Sequence, residues 1–470
     1  MNRRILFSFA GILALSATFA QGDPEVNKRI IDIGKNQNQV MKHLDTLTHR
    51  IGPRLTGSPG LERSMTWFMD QFKAIGCQNV HLEQWGEWPV GFQRGRRQSA
   101  KMVSPWRMNF EFTSPSWTPG TEGPLRGPAV LAPTTMEEFN AVKAKLKGAW
   151  MVSQTGAPRG AAVSELETAI ADSGILGRVT GSRNELVITS GSYRIEWDKL
   201  PTMRRVQVRK SDMDSIMTGL KAGRDVQLEF DMEQSFVKGP RKHSNVIAEI
   251  PGTEKPNEVV IVSGHLDSWD GPGSQGALDN GTGVCVALEA ARILMKSGAK
   301  PKRTIRFILW TGEEQGLFGS TEYVKQHKEE LAKISAVFVD DGGTNYQGGM
   351  SCTAAMEAML KQAQAPMAGV FPDLPFEIRV GARIPRGGGS DHTPFNAAGV
   401  PGFFWFETGR SDYNFVHHTQ HDKFEFAIPE YLVQSSTNSA IMSYNLACAA
   451  GLLPREVPVT PPPSGSGGGG

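Results

Sequence analysis

The sequence predicts an α/β fold: a mixed, mainly parallel sheet covered by helices on both faces and interrupted by a β-rich insert. Three observations predict it. From residue 243 onward, short apolar runs alternate with amphipathic stretches of helical length, as in strand–helix–strand units of a parallel sheet. Between about 110 and 240 that rhythm changes, and strand-like runs such as KGAWMVSQ are set among Gly-rich turns. In the second half, most apolar runs are followed by acidic residues or histidines, where parallel sheets place their sites. The 470 residues allow several domains, or one large domain with an insertion. With 50 Lys+Arg against 48 Asp+Glu, the chain has no charge bias, which excludes an ordinary basic nucleic-acid binder and an acidic disordered protein.

Taken in order, residues 1–20 read as a signal peptide. Arg3 and Arg4 precede an apolar run from Ile5 to Leu15, and small residues follow before Gln21. That run is shorter than the roughly 20 residues a membrane span needs. The expectation is an exported protein, periplasmic or secreted, with no membrane span after the leader is removed. Residues 21–110 open the main domain, with helical patterns at 24–50 and 59–76 around a turn-rich loop, IGPRLTGS. Residues 111–240 form the insert. Residues 241–455 complete the main domain through EVVIVSG, TGVCVALEAARILMKSG, RTIRFILWT, STEYVKQHKEELAK, ISAVFVD, TAAMEAMLKQAQA, GFFWF and a last helix at 429–451. Residues 456–470 are a Pro/Gly-rich tail expected to be disordered. The four cysteines, Cys77, Cys285, Cys352 and Cys448, show no metal-binding spacing and are too few for a disulfide framework.

The chemistry lies beyond the strand ends. His265 and Asp267 follow EVVIVSG, and Asp279 precedes a helix in ALDNGTG. Glu313 and Glu314 follow RTIRFILWT, and Asp340 and Asp341 end ISAVFV. A loop after GFFWFET holds His417, His418, His421 and Asp422. Singly, each has an ordinary explanation: a helix cap, a solvated acidic pair, a histidine bonded to a carbonyl. Together they bring carboxylates and imidazoles to one rim, where cations are needed to offset mutual repulsion. Two histidines with three carboxylates suit zinc, and one carboxylate placed between two ions suits a two-metal site. A spare carboxylate beside a ligand then serves as general base.

These motifs resemble the co-catalytic zinc aminopeptidase and glutamate carboxypeptidase family. SGHLDSW, ALDNGTG, FILWTGEEQGLFGS, VDDGGT, GGSDHTPF and HHTQHD match that family's motifs in order, over roughly 40–105 and 243–450. The branch most similar is that of the plasma glutamate carboxypeptidases, and the insert resembles a protease-associated domain. The resemblance implies two zinc ions per chain, with His265 and Asp341 on one, Glu314 and His418 on the other, and Asp279 bridging. It implies Glu313 as general base, Asp267 behind the site, and a cis peptide after Asp279. The family spacing His-x-x-x-Asp selects His418 with Asp422. A small residue after the ligand favours Asp341 over Asp340, with Asp340 as the alternative. Where many relatives carry Tyr before the late histidine, this chain has His417, which can donate the same hydrogen bond to a developing oxyanion.

Ser390, Asp391 and His392 match the substrate-pocket wall or, equally, an Asp-capped turn. Trp269, Tyr413 and Phe415 suit a side-chain pocket or the core.

The function implied is that of a metallo-exopeptidase acting on short peptides or dipeptides, with no nucleic-acid partner and with homodimerisation possible from the relatives. Two alternatives keep the fold: a single-zinc glutaminyl cyclase, and a receptor-like relative without metal. The presence of His265 and Asp341 argues against the first, and the complete ligand set against the second.

Overall fold

The computed structural model describes residues 22–154, 165–385 and 388–455; the expected leader and tail lie outside them. Four parallel strands form the heart of the sheet, in the order Gly402–Phe404, Ile334–Val339, Lys255–His265, Arg303–Trp310. An antiparallel strand, Gln227–Ile250, follows on the Arg303–Trp310 side, with Ile305 opposite Ile250 and Leu309 opposite Val246. The sheet is therefore mixed and mainly parallel, as expected. Its central strands are near-continuous apolar runs because both faces are covered. Helix Thr282–Ser297 is buried at almost every position and ends on Gly298 at φ 73°, a left-handed C-cap that glycine adopts without a Cβ penalty. Burying each large side chain of its core face, such as Leu288 or Ile293, contributes roughly 1.5–3 kcal/mol. Gly283 lets this helix approach the sheet, since a Cβ there would lie 2.2 Å from the Asp340 carbonyl.

The helical stretch expected over 24–50 is broken. The first helix is Pro24–Asn36, followed by Val40–Asp45 and a wide helical turn at Thr46–Ile51. Asn38 makes the break: its amide donates to the Gly34 carbonyl and its oxygen accepts from the Val40 N–H. Such side-chain bonds compete with the helical ladder. The helix expected over 320–333 stops at Gln326, where His327 turns to Glu83 at 2.8 Å and Glu330 at 3.2 Å.

One feature was not legible in the sequence. Gln78–Ser104, a strand of 27 residues, pairs antiparallel along the whole of the 24-residue Gln227–Ile250. At one end this ribbon joins the main sheet. At the other, Phe230 pairs with Leu125 at the start of a second run of strands. There, Leu125–Leu131, Trp150–Ser153, Gly177–Gly181 and Arg205–Val208 lie parallel. Their apolar cluster, including Met102, Phe112, Trp150, Val179 and Phe230, is separate from the main core. The four cysteines are buried and free. Among the described residues, no helix is long and apolar enough to cross a membrane.

Candidate active site

The chain leaves the central strand Lys255–His265 to pair next on one side with Arg303–Trp310, then on the other with Ile334–Val339. A crevice opens between strand ends at such a switch point. His265 ends the central strand, and Asp340 and Asp341 directly follow its neighbour.

His265 is buried, and its Nδ1 lies 3.0 Å from the backbone oxygen of Asp267. A carbonyl only accepts, so Nδ1 carries a proton and Nε2 faces the crevice. There Nε2 meets Asp341 Oδ1 at 2.9 Å, Asp279 Oδ1 at 3.3 Å and Glu313 Oε2 at 4.0 Å. On the other side, His418 Nε2 lies 2.8 Å from Glu314 Oε2 and 3.3 Å from Asp279 Oδ2. Asp279 thus presents one oxygen to each histidine. Its peptide bond to Asn280 is cis.

Two sets of three ligand atoms converge: His265 with Asp279 and Asp341, and Asp279 with His417 and His418. Asp279 Oδ2 and Glu314 Oε1 are buried with no hydrogen-bond partner. Groups that approach to 3.3 Å without a directed hydrogen bond aim at a common point between them, as ligands of a cation do. The charge states agree. Burial and then the Asp279 charge push Glu314 up to about 7. Burial, then Asp341, Asp391 and Glu314 push Glu313 well above the usual carboxylate range. Burial opposes the charge on His418, but Glu314 and Asp279 outweigh it and hold it at about 10. Only cations or protons can satisfy this many buried carboxylates.

Asp267 ties the two sides together. Its backbone oxygen orients His265, while its carboxylate accepts from the backbone N–H of Glu313 and Glu314, each at 3.3 Å, and from Thr56 Oγ1 at 2.9 Å. Gly312, at φ 77°, permits the turn that delivers the two glutamates. Asp422 braces the Asp279 segment by accepting from the Leu278 N–H at 2.6 Å and the Asp279 N–H at 3.4 Å. Asp340 turns away from the crevice. Its Oδ2 accepts from Gln347 Nε2 at 2.7 Å, and Gln347 is bonded in turn to Asn438 and Ser439 of helix Pro429–Cys448. Its backbone oxygen accepts from Asn280 Nδ2 at 2.7 Å.

His417 is half exposed and packs against His418 with its ring tilted by 32° and centroids 3.8 Å apart, and its Nε2 lies 3.9 Å from Asp279 Oδ2. Burial lowers its pKa, so the ring is neutral at pH 7 and retains one N–H to donate. Ser390, Asp391 and His392 are buried behind the crevice, where Asp391 faces the charges of Glu313 and Asp341. They do not line the cavity of about 270 Å³ that opens beside Glu314. That cavity is bounded by Gly191, Ser192, Tyr193, Arg194, Trp269, Glu314 and Gln315. Tyr413 packs with Leu278 and Val416, and Phe415 stacks on His421. A larger cleft of about 840 Å³, lined by Arg50, Arg63, Arg94 and Arg96, contains none of these site residues.

Several supporting residues carry no signal in the sequence. The His418 backbone adopts φ 61°, and its carbonyl accepts from the N–H of Thr189, a residue of the 111–240 stretch. Gln420, next in the same loop, accepts from the Val187 N–H at 3.0 Å and donates to Glu111 at 2.8 Å.

Residues 245–441 match the model of Peptidase family M28. Carboxypeptidase Q of Mus musculus is 31% identical over 92% of this chain and 91% of its own length, and that of Homo sapiens is 30% identical over the same shares. The chain belongs to peptidase family M28. Membership makes it a metallo-exopeptidase, as the motifs implied. A peptidase M28 precursor of Shewanella amazonensis SB2B has a similar structure, with TM-score 0.64 and 25% identity over 92% of this chain and 98% of that one. A zinc aminopeptidase of Bacillus subtilis shares the fold, with TM-score 0.54 and 21% identity over 86% and 94%.

Proposed function

We propose that the protein is an exported two-zinc exopeptidase that hydrolyses short peptides or dipeptides. The observation that carries this reading is Asp279, whose two carboxylate oxygens each lie 3.3 Å from a different histidine. His265, Asp341 and Asp279 would hold one zinc, and Asp279, Glu314 and His418 the other. Bound there, the ions would supply Lewis acidity for the scissile carbonyl and lower the pKa of a water.

The rest falls to the chain's own residues. Glu313, not needed as a ligand, takes the proton of the attacking water and passes it to the leaving amine. Its environment, which favours the protonated carboxyl, suits that exchange. His417 donates a hydrogen bond to the oxygen of the attacked carbonyl. Asp267 and Asp422 hold the ligands in register. The 111–240 stretch is proposed as a protease-associated insert, residues 1–20 as a cleaved leader that directs the enzyme to the periplasm or outside, and the active form as a possible homodimer.

Metal analysis of purified protein tests the site: two equivalents of zinc support the peptidase, one points to the cyclase and none to a receptor. Glu313→Gln tests the base. It should keep its metal and lose turnover, and retained turnover would refute the assignment.

A further inference from the structure

The cleft of about 840 Å³ draws its lining from three stretches of chain: 48–63, the ribbon's 93–98 and the loop 270–275. Four arginines line it, and Asp270 is the only carboxylate among the described residues that do. Arg94 already claims that carboxylate. Its Nη2 lies 3.3 Å from Asp270 Oδ1, its Nη1 donates to Ser114 Oγ at 2.7 Å, and its side chain is 4% exposed. Other acids are also taken: Glu62, beside Arg63, pairs with Arg241, and Asp231, across the ribbon, pairs with Arg97. Arg50, Arg63 and Arg96 are exposed, and among the described residues none has an ion-pair or hydrogen-bond partner. They come from three elements: the Thr46–Ile51 turn, helix Pro59–Ala74 and the ribbon. Arg96 is there because the ribbon bulges. Arg94 pairs with Gln234 and Gln98 with Met232, so Gly95, Arg96 and Arg97 stand opposite Glu233 alone. A bulge of this kind re-aims a side chain. Gly95 permits it, since a Cβ there would lie 2.2 Å from the Glu233 carboxyl carbon.

From these observations we infer that the cleft binds a small sugar carrying two or more phosphate or sulfate groups, at a site separate from the peptide crevice. Three like charges gathered around one cleft repel, and a multivalent anion turns that repulsion into attraction. Arginine suits tetrahedral oxyanions, because its planar fork bonds two oxygens at once. The volume lies within the roughly 300–1,000 Å³ of ligand sites and exceeds what a lone inorganic anion fills. Among the described residues lining the cleft there is no Phe, Tyr or Trp on which a nucleobase could stack, which favours a sugar over a nucleotide.

Calorimetry on the zinc-loaded protein tests this with fructose bisphosphate, sucrose octasulfate and inorganic phosphate. Wild-type protein should bind the bisphosphate or the octasulfate at least about tenfold more tightly than inorganic phosphate, and less tightly as salt is added. Whichever of the two sugars binds more tightly identifies the source, phosphate or sulfate. Replacing Arg50, Arg63 and Arg96 together by Gln should weaken that binding by at least about a hundredfold, at about tenfold or more for each charge-assisted contact. Arg96→Lys should retain more affinity than Arg96→Gln. The triple variant keeps every residue of the metal site, so a ligand drawn to the zinc would bind it unaltered. Sugars that bind no better than inorganic phosphate, or equal affinity in the triple variant, would overturn the inference. So would a parallel loss of alanyl-leucine cleavage, which would make the cleft part of the peptide path. The binding arm needs no turnover, so it stands or falls apart from the peptidase reading.

Discussion

The two halves of the site are built on different principles. His265 and Asp341 stand at or directly beyond the ends of adjacent sheet strands, with 1% and 9% of their side-chain surfaces exposed. Their backbones are fixed by the register of Val339 beside Ser263, deep in the apolar core. Glu314 and His418 come from loops. His418 is 25% exposed, adopts a left-handed backbone, and has its carbonyl held by Thr189 from the second run of strands. Asp279 spans the two. One half is thus positioned by the sheet that also makes the fold stable. In the other, Glu314 is held by Asp267, while the His418 loop is positioned by contacts that arise only when the two units meet. Where fold and site share a framework, ligand geometry comes with folding; where they do not, it depends on a few hydrogen bonds.

Substitutions can break this contrast in decreasing steps. Glu313→Gln alters neither half, so metal content should be unchanged while kcat falls by about 10²–10⁴-fold, the usual contribution of a general base. Loss of metal in this variant would show that Glu313 is a ligand. Asp267→Asn touches both halves and should weaken metal affinity about 10–100-fold at each. A loss confined to one site, seen by titrating metal back into stripped protein, would disprove the shared brace. Thr189→Pro deletes the N–H that holds His418 and should weaken only the loop half, by the few-fold to about tenfold worth of one hydrogen bond. Thr189→Val, which keeps the N–H, serves as its control, and equal weakening of both sites would erase the distinction drawn here.

The last effect is on stability. Burial is the first cause raising Glu314, Asp340 and Asp422 to about 7 and Asp391 to about 8. The folded, metal-stripped protein therefore binds more protons than the unfolded chain. Its stability should fall as pH rises from about 4 through 8, because these carboxyls ionise more readily once unfolded. Added zinc should raise the melting temperature more at pH 8 than at pH 5. A stripped protein that is more stable at pH 8 would contradict this.

The sheet half was legible from the sequence because apolar runs announce buried parallel strands and the polar residues after them announce strand ends. The choice between Asp340 and Asp341 rested on resemblance alone; the structure turns Asp340 into the Gln347 network and leaves Asp341 facing His265. The ribbon was illegible for a physical reason. Gln78–Ser104 carries Gly86, Pro89, Gly91 and Gly95 and several arginines, and its register shifts at bulges, so the alternation that marks a strand is broken repeatedly. Thr189 and Gln420 act through backbone groups and a single amide, for which composition and spacing carry no signal.

That ribbon also decides how the molecule can move. Both of its strands run unbroken from one unit to the other, so tension between the units falls on covalent backbone and they cannot slide apart. What remains soft is bending and twisting, as in a leaf spring. The 185–194 segment, bonded to the His418 loop through the N–H groups of Thr189 and Val187, is carried by that spring, so any bending of the ribbon is felt first at His418.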